Sequence, residues 1–137
     1  MRTKRPILLV EDDEVDLMSV QRALKDLNVT NRLVHARDGE EGLAVLNDPG
    51  LQKPAIILLD INMPRMNGIE FLRAIKKDPG LKQIPVVMLT TSRAEAERFE
   101  TFSLGAAGYM IKPIEYRQFV EVMRAINIYW SLSELPE

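Results

Sequence analysis

The chain has 137 residues, with 18 basic and 20 acidic side chains, a formal net charge of −2 and no cysteine. That length makes one domain able to bury roughly two-thirds of its unfolded surface, and 46% apolar with 28% charged residues is the balance of a globular chain, not a disordered one. Disulfide scaffolds, thiol redox chemistry and cysteine zinc sites are excluded, and the near-neutral charge argues against a dedicated nucleic-acid binder.

Pro6–Val10 is a short apolar run that turns abruptly acidic at Glu11–Glu14. Leu17, Val20, Leu24 and Leu27 then recur at +3, +4, +3, one face of a helix. Asp13 is its expected cap, with Asp16 three residues on in a loose capping box. Thr30–Ala36 reads as a less apolar, edge strand, and Asp38-Gly39 opens a helix carrying Leu43 and Leu46. Ala55–Leu59 is the most apolar strand and ends directly in Asp60. A loop with Pro64 and Gly68 leads to a helix with Ile69, Leu72 and Ile75, stopped by Asp78-Pro79-Gly80. Val86–Leu89 is a fourth strand, ending in Thr90-Thr91-Ser92; Phe99 and Phe102 are expected on the inner face of the helix after it. Tyr109–Ile111 is a fifth strand ending in Lys112-Pro113, and the last helix carries Phe119, Met123, Ile126 and Trp130. Residues 1–130 are expected to form the domain and 131–137 a polar tail. The seven methionines read as core filler, the lone His35 as an edge-strand residue, and Arg2, Lys4 and Arg5 as a solvated terminus. No apolar run approaches the ~18 residues of a membrane span, and the basic start lacks the apolar core of a secretion signal. A cytoplasmic protein is the expectation.

Short apolar strands alternating with amphipathic helices predict an α/β fold with a parallel sheet covered on both faces. Five strands with right-handed crossovers suggest a flavodoxin-like doubly wound (βα)5 sandwich in the order 2-1-3-4-5. Ligands then bind beyond the carboxyl ends of the strands. Glu11 and Asp12, Asp60, Thr90 and Lys112 are the residues just past strands one, three, four and five, so they should converge on one rim.

Carboxylates crowded into one crevice raise each other's pKa unless a cation is present. An all-oxygen donor set points to a hard ion, Mg2+ before Ca2+, because so few carboxylates leave several waters bound. A flavodoxin-type nucleotide site would want a Ser/Thr/Gly-rich loop after the first strand, which the acidic Glu11–Glu14 contradicts. A divalent ion, the Thr90 hydroxyl and the Lys112 ammonium together can stabilise the equatorial oxygens of a transferring phosphoryl group. Asp60 between them is placed to be the nucleophile that becomes an acyl phosphate.

Ile7-Leu8-Leu9-Val10-Glu11-Asp12-Asp13, Leu58–Pro64 with Gly68, Met88-Leu89-Thr90 and Gly105–Pro113 follow one another in order and at family spacing. Together they resemble the response-regulator receiver domains of two-component signalling, from Pro6 to about Tyr129. The resemblance implies a stand-alone phosphoacceptor, not an enzyme with its own substrate, in which Asp60 takes a phosphoryl group from a partner's phosphohistidine. It implies Asp12, Asp60 and the backbone carbonyl of Asn62 as direct Mg2+ ligands and Glu11 as a ligand through water, with Mn2+ able to substitute. It further implies Thr90 as the switch hydroxyl, Lys112 as the phosphate-binding lysine, Tyr109 as an aromatic switch and a cis Lys112–Pro113 bond. Signalling would pass to a downstream protein through the face of helix four, strand five and helix five, with no nucleic acid or membrane involved. Asn67 departs from the usual Asp before Gly68. Asn62 and Ser92 occupy the positions that tune dephosphorylation in the family. The acidic start of the first helix, the loop Asn47–Pro54 and the ending Ile128-Tyr129-Trp130 are similar to the small receivers paired with phytochrome-like histidine kinases. Members of that group form homodimers, and exposed Tyr129 or Trp130 would suit such an interface.

Each residue also has a plainer reading. Asp60 alone is a strand-end acid, Glu11 and Asp12 are charges at a helix N-terminus, Thr90 initiates a helix, Lys112 is a solvated lysine and Tyr109 a packing residue. Two other functions compete with phosphoacceptance. A haloacid-dehalogenase-like phosphatase also forms a phospho-aspartate, but it wants an Asp two positions after the nucleophile, where Asn62 stands. A receiver-like adaptor that no longer signals by phosphorylation is the other, and because all the key groups are present here it needs a structural reason to have lost phosphoacceptance.

Overall fold

A computed structural model describes residues 4–132. Strands β1 (Ile7–Val10), β2 (Leu33–Ala36), β3 (Ile56–Leu59), β4 (Val86–Thr90) and β5 (Gly108–Ile111) alternate with helices α1 (Glu14–Asp26), α2 (Gly39–Asn47), α3 (Gly68–Lys76), α4 (Glu95–Ser103) and α5 (Tyr116–Leu132). The strands form one parallel sheet in the order β2-β1-β3-β4-β5, the predicted topology.

Alternation along the strands divides the core. Leu8, Val10, Ile57, Leu59, Val86 and Met88 face α2 and α3, where Leu46, Phe71, Leu72 and Ile75 meet them. Ile7, Leu9, Ile56, Leu58, Val87 and Leu89 face α1 and α5, against Val20, Ala23, Leu24, Phe119, Met123, Ile126 and Trp130. The central strands β1 and β3 are buried along their whole length, whereas β2 and β5 at the edges are largely half-buried. In register, Val10 lies beside Leu59, so the residues after them, Glu11 and Asp60, start at the same level of the sheet.

Several expectations change. The β2 strand begins at Leu33 rather than Thr30, and α5 runs through Leu132, two residues into the expected tail; residues 133–137 lie outside those described. Phe99 and Phe102 are 76% and 48% exposed, so they do not form the inner face of α4. Thr101 is the buried residue of that helix, its hydroxyl satisfied by donating to the Arg98 carbonyl (2.8 Å). Helical spacing identifies a stripe, and a hydroxyl bonded within its own helix lets the polar stripe turn inward. Asp13 caps α1 by accepting from the N–H groups of Val15 and Asp16, but Asp16 closes no capping box because its carboxylate is taken by Lys112. The complete capping box lies at α3, between Asn67 and Glu70, where Asn caps as well as the Asp it replaces. Trp130 is 1% exposed and belongs to the core, leaving Tyr129 of the expected interface pair partly exposed. Arg5 is not simply solvated: it donates to the carbonyls of Lys53 and Pro54.

The expected cis Lys112–Pro113 bond is corrected as well. Every peptide bond among the described residues is trans. The trans form is intrinsically favoured before proline, and with it the Lys112 ammonium still reaches the acidic rim. Among the described residues no helix is long and apolar enough to cross a membrane.

Candidate functional site

The ends of β1, β3 and β5 converge on an open, polar cleft of about 600 Å3, bordered by Glu11, Asp12, Asp13, Glu14, Asp16, Asp60, Asn62, Thr91 and Lys112. Glu11 follows β1, its N–H donating to the Ala36 carbonyl so that the chain continues the sheet one residue further. Its own carbonyl accepts from His35 Nε2 (2.6 Å), which gives the edge-strand histidine a structural partner. Asp60 follows β3, its N–H bonded to the Val10 carbonyl. One oxygen of Asp60, Oδ1, accepts from the N–H of Ile61 (2.8 Å), and Oδ2 lies 3.6 Å from Lys112 Nζ.

Carboxylate oxygens of Glu11, Asp12 and Asp60 all lie within 4.8 Å of one another. Glu11 and Asp60 are buried while Asp12 stands exposed at the mouth, so a cation held by the three would keep part of its coordination sphere open to water. Burial, and then the charge of Asp60, push the Glu11 carboxyl up from 4.5 to about 7, against the pull of Lys112. Such crowding of acids, with no imidazole or thiolate among them, fits a hard divalent cation and would be relieved by one.

Lys112 holds the centre of the negative charge. Its Nζ donates to Glu11 Oε1 (2.6 Å) and to Asp16 Oδ2 (2.7 Å). Burial works to lower the lysine pKa, yet the hydrogen bonds to Asp16 and Glu11 and the charge of Asp60 raise it above its ordinary value. The ammonium is therefore a permanent positive charge beside Asp60. Asp16 is the residue that sequence reasoning misassigned. The signal was available, since Asp16 lies in the first turn of the helix that follows the acidic run Glu11–Glu14.

Thr90 is fully buried at the end of β4, and its Oγ1 accepts from the Ser92 N–H (3.2 Å). Thr91, which the sequence reading passed over, borders the cleft instead. Ser92 is engaged on two sides: its hydroxyl donates to Glu97, and its carbonyl accepts from the Tyr109 hydroxyl (2.9 Å). The Tyr109 ring is half-buried and tilted against Phe102, with ring centroids 6.4 Å apart. Tyr109 is thus linked to the segment just after Thr90.

Behind Asp60, Gly68 permits a contact no other residue would allow. A Cβ there would sit 2.1 Å from the Asp60 carbonyl oxygen, while the Gly68 N–H donates to the carbonyl of Ile61 (2.9 Å). The loop that carries Asn62 is therefore folded tightly back on the strand end.

The family profile described as "Response regulator receiver domain" matches residues 7–124. "Response regulator Rcp1" of Synechocystis is 37% identical over 128 residues, covering 90% of this chain and 87% of that protein. The structure of the phosphorylated cyanobacterial phytochrome response regulator RcpA superposes with a TM-score of 0.91 at 36% identity, over 97% of this chain and 99% of that one. The Mn2+-bound form of Rcp1 gives a TM-score of 0.89, also at 36% identity and the same coverage. With its acidic strand ends, buried lysine and matching fold, this chain belongs to the response-regulator receiver family.

Proposed function

We propose that this receiver domain accepts a phosphoryl group on Asp60 from the phosphohistidine of a sensor histidine kinase or phosphotransfer protein, in a Mg2+-dependent reaction. The observation that carries the reading is the cluster of Glu11, Asp12 and Asp60 oxygens within 4.8 Å, with the Lys112 ammonium 3.6 Å from Asp60. A carboxylate oxygen of Asp60 forms the new O–P bond as the P–N bond of the phosphohistidine breaks, and the leaving imidazole nitrogen keeps the electron pair. Asp12, Asp60 and the carbonyl of Asn62 would hold the cation directly, with Glu11 acting through water. The cation supplies positive charge against the phosphoryl oxygens and is the reason the acids are gathered. That the similar Rcp1 has a Mn2+-bound form supports a divalent ion and makes Mn2+ a workable substitute.

Lys112 neutralises the charge that transfer adds, about −1.5 to −2 by analogy with phosphoserine. Thr90 then turns its hydroxyl to the phosphoryl group, the Tyr109 ring moves into the space released, and the face built from α4, β5 and α5 changes shape for a downstream protein. The likeness to a phosphorylated phytochrome response regulator makes phytochrome-like kinases the partner class to test first.

The test is incubation with a small phosphodonor and Mg2+, followed by intact-mass measurement. The wild-type chain gains one phosphoryl mass, and Asp60→Asn or a chelator abolishes it. Equal labelling of wild type and Asp60→Asn would overturn the reading. Sedimentation with and without the phosphodonor shows whether phosphorylation pairs the chain with a second copy.

A further inference from the structure

The loop between β3 and α3 contains the one arginine in left-handed backbone among the described residues, Arg65 at φ 63. Residues with a Cβ rarely rest there, and an arginine has no local side-chain bond to favour it. Such a conformation persists only where its surroundings over-determine it. Here they do. The Arg65 guanidinium donates through Nε to Asp38 Oδ2 (2.9 Å) and through a second nitrogen to the same oxygen. Asp38 is fully buried and also caps α2, its Oδ1 accepting from the Glu41 N–H (2.9 Å). The N–H of Glu41, and then Arg65, hold its carboxyl below the usual carboxylate range, so it is charged whenever the protein is folded near neutrality.

A second contact runs in parallel. The Gly39 N–H donates to the Met66 carbonyl (3.1 Å), and the Met66 side chain lies so close over Gly39 that a Cβ there would fall 2.5 Å from its Cγ. Capping α2 requires only Oδ1 of Asp38. The other oxygen, the strained arginine and the bare glycine all serve the loop. That loop is tied at its far end by Gly68 on the Asp60 carbonyl, and it carries Asn62 on the border of the acidic cleft.

We propose that Arg65 and Asp38 form a positioning pair that clamps the β3–α3 loop to the N-terminus of α2 and thereby sets the Asn62 carbonyl for the divalent cation. The inference rests on the reading of the cleft as a cation site. It assigns neither residue to the cation itself: both act through the loop, as outer partners do at metal centres, where their removal typically weakens binding by tenfold or more.

Calorimetric titration of the full chain with Mg2+ tests it. Arg65→Asn keeps a residue at ease in left-handed backbone and removes the guanidinium; it should weaken Mg2+ about tenfold. Asp38→Asn keeps the helix cap and removes the charge, and should do the same. The double variant should lose no more than either single one, because the two act as one unit. Arg65→Lys, with its charge retained, should recover part of the affinity. In the metal-free protein, amide exchange across residues 61–67 should quicken in Arg65→Asn while amides of α5 stay as protected as in wild type. Mg2+ affinity within twofold of wild type in Arg65→Asn, or additive losses in the double variant, would overturn the clamp and leave the cation site standing. A wild-type chain that binds no Mg2+ would overturn the reading of the cleft and the clamp with it.

Discussion

The acidic rim and the helix α4 beside it are held by different forces. Beyond the ends of β1, β3 and β5 the rim is a lattice of buried charge: Glu11, Asp60 and Lys112 are each under a tenth exposed and hydrogen-bonded to one another or to backbone. The helix α4, between β4 and β5 in the chain, has one buried residue, Thr101, and its N-cap Ala94 makes no side-chain cap. Its aromatic residues face outward. A rim whose charges bind one another keeps its geometry, whereas a helix with few buried contacts is drawn from the low-stability end of the fold and can move. The acidic rim is tied together by its own buried charges, whereas α4 is held by few buried contacts.

The largest break in that contrast is Lys112→Ala. Removing one partner of a buried ion pair typically costs about 3–5 kcal/mol because it strands the other charge, and here Glu11, Asp16 and Asp60 are all left without their cation. Denaturant unfolding without metal should show a loss of that order at pH 8. The loss should shrink at pH 6, where Glu11 can take a proton, and shrink again on adding Mg2+. A loss independent of both pH and Mg2+ would mean that Lys112 supports the fold by packing alone.

Next in size is the pH dependence of the metal-free wild type. Glu11 is harder to ionise in the fold than in the unfolded chain, so between pH 4.5 and about 7 the folded state keeps a proton the unfolded state has released. Stability from this group is therefore full below that window and falls as pH rises through it, by up to about 3 kcal/mol. Lys112, whose pKa is raised, stays charged throughout and does not offset the fall. For the same reason Mg2+ affinity should climb with pH up to about 7 and level off above it, since binding must displace the Glu11 proton. Calorimetry in buffers of differing ionisation enthalpy counts that proton. Flat affinity from pH 5.5 to 8 would detach Glu11 from the site.

The contrast also explains what could be read from the chain. Strand order and the convergence of Glu11, Asp12, Asp60 and Lys112 follow from apolar runs that end in charged residues, a pattern set by which atoms tolerate burial. The α4 stripe was misjudged because Phe99 and Phe102 at +3 look like a core face, and nothing local says that Thr101 can satisfy its hydroxyl on Arg98 and take the inside. Asp16 was misread for a related reason. Its position near a helix start suits a capping box, while its actual partner, Lys112, is brought near only by the sheet. The Arg65–Asp38 pair spans 27 residues and two loops and leaves no periodic trace. Local rules find groups that serve their own element, and they miss groups whose partner arrives through topology.

A gain of stability sharpens the comparison further. Ala94→Asp supplies the cap that α4 lacks, with an acid at the positive end of the helix, and should stabilise the chain by about 1 kcal/mol. Ala94 has extended backbone (φ −66, ψ 121), the conformation an N-cap residue needs. If the looseness of α4 is what lets the signalling face move, thermal unfolding should shift upward while the phosphorylation-induced change in amide exchange across α4 becomes smaller. Stabilisation with an undiminished exchange response would place the moving element elsewhere.

The smallest expected effect is the most direct check on which way α4 faces. Phe99 is 76% exposed, so Phe99→Ser should change unfolding free energy by less than about 0.5 kcal/mol, as surface substitutions away from special features do. Phe102 is different in kind: it is half-exposed, and its ring meets that of Tyr109. Phe102→Ser should therefore cost more than Phe99→Ser, by about 0.5–1.5 kcal/mol, the range of an aromatic pair. It should also quicken exchange at Ser92, whose carbonyl accepts from the Tyr109 hydroxyl. Two equal losses above 1 kcal/mol would turn the aromatic stripe back toward the sheet, and α4 would then be anchored as firmly as the acidic rim.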